Sequence, residues 1–125
     1  MIYNLTQHQA TPEQQAVGVT LNALPEIKQL LNFTTIPSKD ELDERAEQIV
    51  QMFLDSLTID ERNQKVVKVM IGGAPFFMGY LEKHLKAYEI TPLYAFSERV
   101  SVEKQMDDGS VVKQNVFKHV GFVEV

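Results

Sequence analysis

The clearest pattern in the chain runs from Ser38 to Leu57. Apolar residues fall at Leu42, Ala46, Ile49, Val50, Phe53, Leu54 and Leu57, with Asp, Glu, Arg and Gln between them. Spacings of three and four make one apolar stripe along a helix, and the charges opposite read as its solvated face. Ser38-Lys39-Asp40-Glu41 supplies the start, with a serine at the N-cap and a glutamate three residues on, the pattern of a capping box. Thr11-Pro12-Glu13-Gln14 carries the same signature, with proline at the first helical position, and predicts a helix over about 12–18. A shorter helical stretch begins at Leu24-Pro25-Glu26, carries Ile27, Leu30 and Leu31, and is broken by the run from Asn32 to Pro37.

Other segments lack that period. Ile2 to Thr6 is a short β-rich run ending in the polar Gln7-His8-Gln9. Past a polar turn at Asp60–Gln64, Val66 to Ile71 is apolar with little alternation, as a parallel strand buried on both faces would be. It runs straight into Gly72-Gly73-Ala74-Pro75, after which Phe77, Leu81, Leu85 and Tyr88 mark a helix with Glu82, Lys83 and Lys86 opposite. Ile90 to Phe96 reads as a third strand. Val100–Met106 and Val111–Val125 are extended runs around Asp107-Asp108-Gly109-Ser110, a hairpin signal, and Gly121 marks a bend or bulge. Strands alternating with helices and closing on a hairpin predict an α/β fold. We expect a Rossmann-like three-layer unit with a short, mainly parallel sheet and a C-terminal hairpin arm over about 97–125, one domain spanning 1–125.

Composition then narrows the function classes. A chain of 125 residues, 44% apolar and 23% charged, has enough material for one soluble core. The absence of cysteine excludes disulfides, thiolate metal sites and cysteine nucleophiles. No apolar run approaches the ~18 residues of a spanning helix, and no basic-then-apolar leader opens the chain, so a cytoplasmic protein without membrane contact is expected. Twelve basic against seventeen acidic side chains give a net charge of −5. That balance speaks against coating long nucleic acid, while leaving room for a small anion held by backbone donors and one or two cations.

In an open parallel sheet, ligands bind beyond the carboxyl ends of the strands. Three such ends are legible here: Asn4 to His8, Gly72 to Phe76, and Ser97 to Arg99. Asn4, Thr6 and Gln7 offer amides and a hydroxyl to a ribose, base edge or phosphate, and also suit a polar cap on the following helix. His8 is either a proton carrier or an ordinary loop histidine. At Gly72-Gly73-Ala74-Pro75-Phe76 two glycines let a ligand approach the backbone, and the helix that follows offers unpaired N–H groups; a tight strand-to-helix turn accounts equally well for the same residues. Ser97 and Arg99 complete the rim, Arg99 either forking onto a phosphate or pairing with Glu98 or Glu103. Phe76, Phe77, Met78 and Tyr80 form a base-stacking surface or a core face. His84, among lysines, is expected to be exposed; His119, beside Lys118, suits burial or a dimer contact as well as it suits chemistry. The Walker, dinucleotide and Gly-x-Ser-x-Gly patterns are missing. Three scattered histidines show no ligand spacing, so neither metal nor cofactor is expected.

The run Asn4-Leu5-Thr6-Gln7-His8-Gln9-Ala10-Thr11-Pro12-Glu13-Gln14 resembles the start of small CRISPR-associated Rossmann-like (CARF-like) ring nucleases. Gly-Gly-Ala-Pro at 72–75 and Tyr-Ala-Phe-Ser-x-Arg at 94–99 are similar to segments of uncharacterised phage and prophage proteins. The first resemblance implies a homodimer that binds a cyclic oligoadenylate and, in some relatives, cleaves it without metal by attack of a ribose 2′-hydroxyl on the adjacent phosphorus. It implies His8 and Arg99 in catalytic roles, with Asn4, Thr6, Gln7, Gly72, Gly73, Ala74, Phe76 and Ser97 around the ligand. A nucleotide-binding module without turnover and a structural or interaction protein are the alternatives. The stretch from Leu24 to Leu57 and the hairpin arm lie outside what the resemblance explains.

Overall fold

The structure, a computed structural model, describes residues 1–125. Its elements in chain order are β1 (Ile2–Asn4), α1 (Pro12–Ala16), α2 (Pro25–Leu30), α3 (Lys39–Ser56), α4 (Ile59–Arg62), β2 (Val67–Ile71), α5 (Pro75–Ala87), β3 (Ile90–Gln105) and β4 (Val111–Glu124). They form one four-stranded sheet in the order β1-β2-β3-β4. The first two pairings are parallel and the last antiparallel, so the expected α/β fold with a mainly parallel sheet and a C-terminal hairpin is the fold observed.

Strand alternation divides the core. Val69 and Ile71 point to the face covered by α2, α3 and α5, where they meet Ile27, Ile49, Phe53, Phe77, Leu81 and Leu85. Phe77, Leu81 and Leu85 are fully buried, and side chains of this size each contribute about 1.5–3 kcal/mol on leaving water. Met70 points to the other face, where a thinner cover of Ala10 and Val19 packs with Ile2 and Phe122. The third layer is therefore the segment around α1, not a pair of long helices. The same segment shields the outer edge of β1: Ile2 donates to the Gly18 carbonyl at 2.9 Å and Thr20 to the Ile2 carbonyl at 2.9 Å.

Several boundaries differ from the sequence reading. The helix expected over 12–18 ends at Ala16, and Gly18 follows with φ +99°. Ser38 caps α3 by accepting from the Glu41 N–H, but the Glu41 carboxylate turns to Arg45 at 3.0 Å, so only half of that capping box forms. The supposed polar turn at 60–64 contains α4, opened by a complete capping box between Thr58 and Glu61. The third strand does not stop at Phe96. It continues to Gln105 and pairs with β4 throughout, so Ser97 and Arg99 stand inside a strand and not at its end. The register breaks between Phe96 and Ser97, where β4 carries the extra residue Val120 beside Gly121, the bulge anticipated there. At the tip, Asp108 accepts from the Ser110 N–H and hydroxyl at 2.9 and 2.6 Å, and Gly109 takes φ +87°.

His84 is not exposed. It lies between α3 and α5 with its side chain 15% accessible, Nδ1 2.8 Å from a Glu47 carboxylate oxygen and Nε2 2.7 Å from Asp43. Part of the helix's supposedly solvated face is thus a clasp. Gln51 adds to it, donating to Glu47 at 3.0 Å and to the Tyr88 hydroxyl at 2.8 Å. No helix is long and apolar enough to cross a membrane.

Candidate functional site

The loop after β1 is built around one buried side chain. Asn4 donates from Nδ2 to the carbonyls of His8 at 2.9 Å and Leu21 at 3.0 Å, and its Oδ1 accepts from the Thr6 N–H at 2.9 Å. The Thr6 hydroxyl lies 2.7 Å from the same Oδ1 and 3.0 Å from the His8 carbonyl. An amide is the one short side chain that donates twice and accepts twice, which is what a tight loop with inward-facing carbonyls and an inward N–H requires. Asn4 and Thr6 are buried, and their polar atoms are spent within the loop. His8 enters these bonds only through its backbone, so its exposed imidazole is presented outward.

The second loop comes off β2. Gly73 has φ +155°, and a Cβ there would meet the Met78 methyl at 3.4 Å; a Cβ on Gly72 would find Thr6 Cγ2 at an ordinary 3.7 Å. Gly73 is thus the position that needs glycine. α5 begins immediately after, with Ala74 at the N-cap giving no side-chain cap and Pro75 giving no N–H. The Phe77 N–H turns back to the Ala74 carbonyl at 3.0 Å.

Between these loops and β3 lies a cleft of about 360 Å³. Thr6, Gln7, His8 and Gln9 line one side, Thr11 and Gln14 of the α1 cap close it, and Gly72, Gly73, Tyr94 and Ala95 form the opposite wall. The lining holds no Asp, Glu, Lys or Arg. Its donors and acceptors are amides, hydroxyls, backbone and one imidazole, a set that recognises neutral polar edges and phosphate oxygens by directed hydrogen bonds. The Tyr94 hydroxyl is engaged by the Glu82 carboxylate, which accepts from it at 2.8 Å; burial and then that carboxylate push its pKa well above the usual phenol value.

Of the residues singled out from sequence, Thr6, Gln7, His8, Gly72 and Gly73 come together in this cleft, with Asn4 beneath them. Gln7 also reaches the Lys28 carbonyl at 3.4 Å. Ala74 and Phe76 lie just past the lining, and the Phe76 ring stands edge-on to Phe33, centroids 5.1 Å apart. Ser97 and Arg99 sit farther along β3. Alternation places both on the Ala95 face, Ser97 opposite His119 and Arg99 opposite Phe117, with the Arg99 guanidinium 5.5 Å from the Phe117 ring centre. Gln9, Thr11, Gln14, Tyr94 and Ala95 were missed as lining residues. For Thr11 and Gln14 the helix cap absorbed the signal, correctly, since each caps the other's N–H at 3.0 and 3.2 Å. His119 is half-buried; its N–H donates to Glu13 at 3.0 Å and its ring packs on Phe122, while Nδ1 is buried without a partner.

A second titratable group lies in the helical layer. Burial opposes charge on His84, but hydrogen bonds to Asp43 and Glu47 outweigh it and raise the imidazole pKa. Hydrogen bonds from Tyr88, His84 and Gln51 hold Glu47 below the usual carboxylate range. This group has no open space beside it comparable to the cleft and reads as a clasp between α3 and α5.

The family model described as the Uncharacterized protein MJ1673 family matches residues 1–123, and the chain belongs to that family. No curated protein and no solved structure matches it.

Proposed function

We propose that the cleft is the binding site of a cyclic oligoadenylate in a cytoplasmic protein of CRISPR or phage-defence signalling. One observation carries the reading: the first loop, the Gly72-Gly73 turn and β3 converge on a single polar cleft beside a helix N-terminus that has no side-chain cap. Directed amides suit adenine edges and ribose hydroxyls, and glycine backbone allows a phosphate to come close. Arg99, on the Ala95 face beyond the cleft, would meet a ligand long enough to extend along β3.

If the ligand is cleaved, the chemistry is internal transfer. A ribose 2′-oxygen bonds to the adjacent phosphorus as the bond to the 5′-oxygen breaks, the 2′-proton is lost and the 5′-oxygen gains one, leaving a 2′,3′-cyclic phosphate and a free 5′-hydroxyl. Alignment and stabilisation of the phosphoryl oxygens are the main requirements. The loop amides would supply the second at a phosphate in the cleft, Arg99 would hold a phosphate farther along β3, and the His8 imidazole would move the proton. The second reading is binding without turnover. It is favoured by the lining itself, in which the His8 imidazole is the one side chain suited to carry a proton.

Incubation with cyclic tetra-adenylate in the presence of chelator, followed by calorimetry and mass spectrometry, separates these readings. Binding with linear products supports the nuclease, and binding with intact ligand supports the module. No binding of any cyclic oligoadenylate overturns both.

A further inference from the structure

Beyond the bulge, β3 and β4 leave the sheet as a two-stranded ribbon from Ser97–Gln105 and Val111–His119. Cross-strand pairs share a face, so the register sorts its side chains. One face carries Arg99 with Phe117, Ser101 with Asn115, and Glu103 with Lys113. The opposite face carries Val100 with Val116, Val102 with Gln114, and Lys104 with Val112. Four valines thus line one side, and none belongs to either apolar cluster of the body. An isolated two-stranded hairpin is marginal in water, and apart from the His119 N–H, which donates to Glu13, no strand pairs with either edge of this one.

We propose that the valine face of this arm is a homodimer interface that seats on the same face of a second copy. The occupant follows from charge placement. A two-fold axis crossing the ribbon at the Ser101–Asn115 pair sends each β3 position to its mirror about 101. Val100 then lies over the partner copy's Val102 position, and Glu98 over its Lys104 position. On β4 the same operation sets Val112 against the stem of Lys118, which covers apolar surface while its ammonium stays wet. It also sets Val116 over the partner copy's Gln114 position. The operation thus joins valine to valine at 100 and 102, acid to base at 98 and 104, and valine to a long polar side chain along β4, each contact repeated by the two-fold. The ribbon is about 30 Å long at ~3.3 Å per residue. Two strands about 4.8 Å apart make a face about 10 Å wide, so the contact buries less than the ~1,200 Å² of standard interfaces and the dimer should be a weak one.

This interface stands apart from the nucleotide reading, because an arm dimer that binds no nucleotide leaves it intact. Sedimentation equilibrium of the full chain from about 1 to 300 µM covers the range of a weak dimer. Wild type should pass from monomer to dimer across that range. V102K should weaken association by tenfold or more. E98K/K118E keeps the in-chain pair but sets a lysine at position 98 against Lys104 of the second copy, and should weaken association by about tenfold; adding K104E should restore it to within about threefold. Unchanged far-ultraviolet circular dichroism shows that each variant folds. A wild-type monomer at every concentration, a dimer indifferent to V102K, or failure of K104E to restore association would each overturn the proposal.

Discussion

Asn4 is the residue on which the first wall of the cleft depends, and its removal can be costed. Asn4→Ala deletes firm bonds to the Thr6 N–H and to the His8 and Leu21 carbonyls, and a share of the Thr6 hydroxyl, which can turn to the His8 carbonyl instead. At roughly 1 kcal/mol per intramolecular hydrogen bond, three firm bonds amount to about 3 kcal/mol. For a domain of this size about 4 °C accompanies each kcal/mol, so Tm should fall by roughly 12 °C. Thr6→Val, which spares the Asn4 amide, should cost about 1 kcal/mol. Asn4→Asp keeps the acceptor but turns a carboxylate toward two carbonyls, so at pH 7 it should be worse than alanine and should recover in part as acid protonates it. Urea unfolding followed by circular dichroism gives the stabilities, and amide exchange over residues 5–9 reports the loop. Asn4→Ala within about 0.5 kcal/mol of wild type would refute the assignment, placing the residue among ordinary surface substitutions.

Three further outcomes follow from named contacts. Gly73→Ala forces a side chain into positive φ against Met78 and should cost about 1–3 kcal/mol, whereas Gly72→Ala meets only ordinary contact with Thr6 and should cost less than about 0.5 kcal/mol in the same urea assay. His84 has a raised folded pKa, so its contribution is fully present below the unfolded value near 6.5 and is lost as pH rises through the higher folded value; with Asp43 and Glu47 partly exposed the loss should be on the order of 1 kcal/mol, and His84→Gln should abolish that slope in stability measured from pH 6 to 9. Arg99→Ala should weaken cyclic tetra-adenylate binding by about tenfold or more while stability stays within about 0.5 kcal/mol of wild type; calorimetry and thermal melts on the same sample test both halves, and a large melting shift with unchanged binding would make Arg99 structural.

The parts of the fold legible in sequence are those where burial imposes a period. The stripe of α3, the apolar β2 and the Phe77–Leu81–Leu85 face of α5 each carry it, because each packs one side against the same core. α4 escaped because it buries nothing and rests on its caps. The continuation of β3 through Ser97-Glu98-Arg99 escaped for a related reason: a ribbon open on both faces tolerates a polar run that a sheet interior would not. The His84 clasp needs two helices set side by side, a relation that no local window contains. The cleft was legible at the ends of β1 and β2, but its third wall is the middle of β3 and not the strand end expected at Ser97–Arg99. Which of its polar residues are free was not legible, since the groups that occupy Asn4 and Thr6 are backbone atoms of His8 and Leu21.

That distinction reassigns the polar residues of the first loop. A sequence window gives Thr11 and Gln14 to a helix cap but leaves Asn4, Thr6, Gln7 and His8 as polar groups equally available to a ligand. In the fold they divide by what their atoms already do. Asn4 and Thr6 hold the loop from within, and Thr11 and Gln14 hold the helix start, so substituting any of them changes the shape of the cleft before it changes a contact. His8 and Gln9 line the cleft with side chains that those internal bonds leave free. A binding defect in an Asn4 variant therefore says little about ligand contact, whereas one in a His8 or Gln9 variant of unchanged stability says a great deal. The same reasoning applies across the cleft, where Gly73 shapes the wall, while Arg99 lies on the face of Ala95 farther along β3. With a lining free of charge, a cyclic oligoadenylate bound as proposed would draw its electrostatic attraction from Arg99 and from backbone N–H groups, so raising salt should weaken binding in wild type and much less in Arg99→Ala.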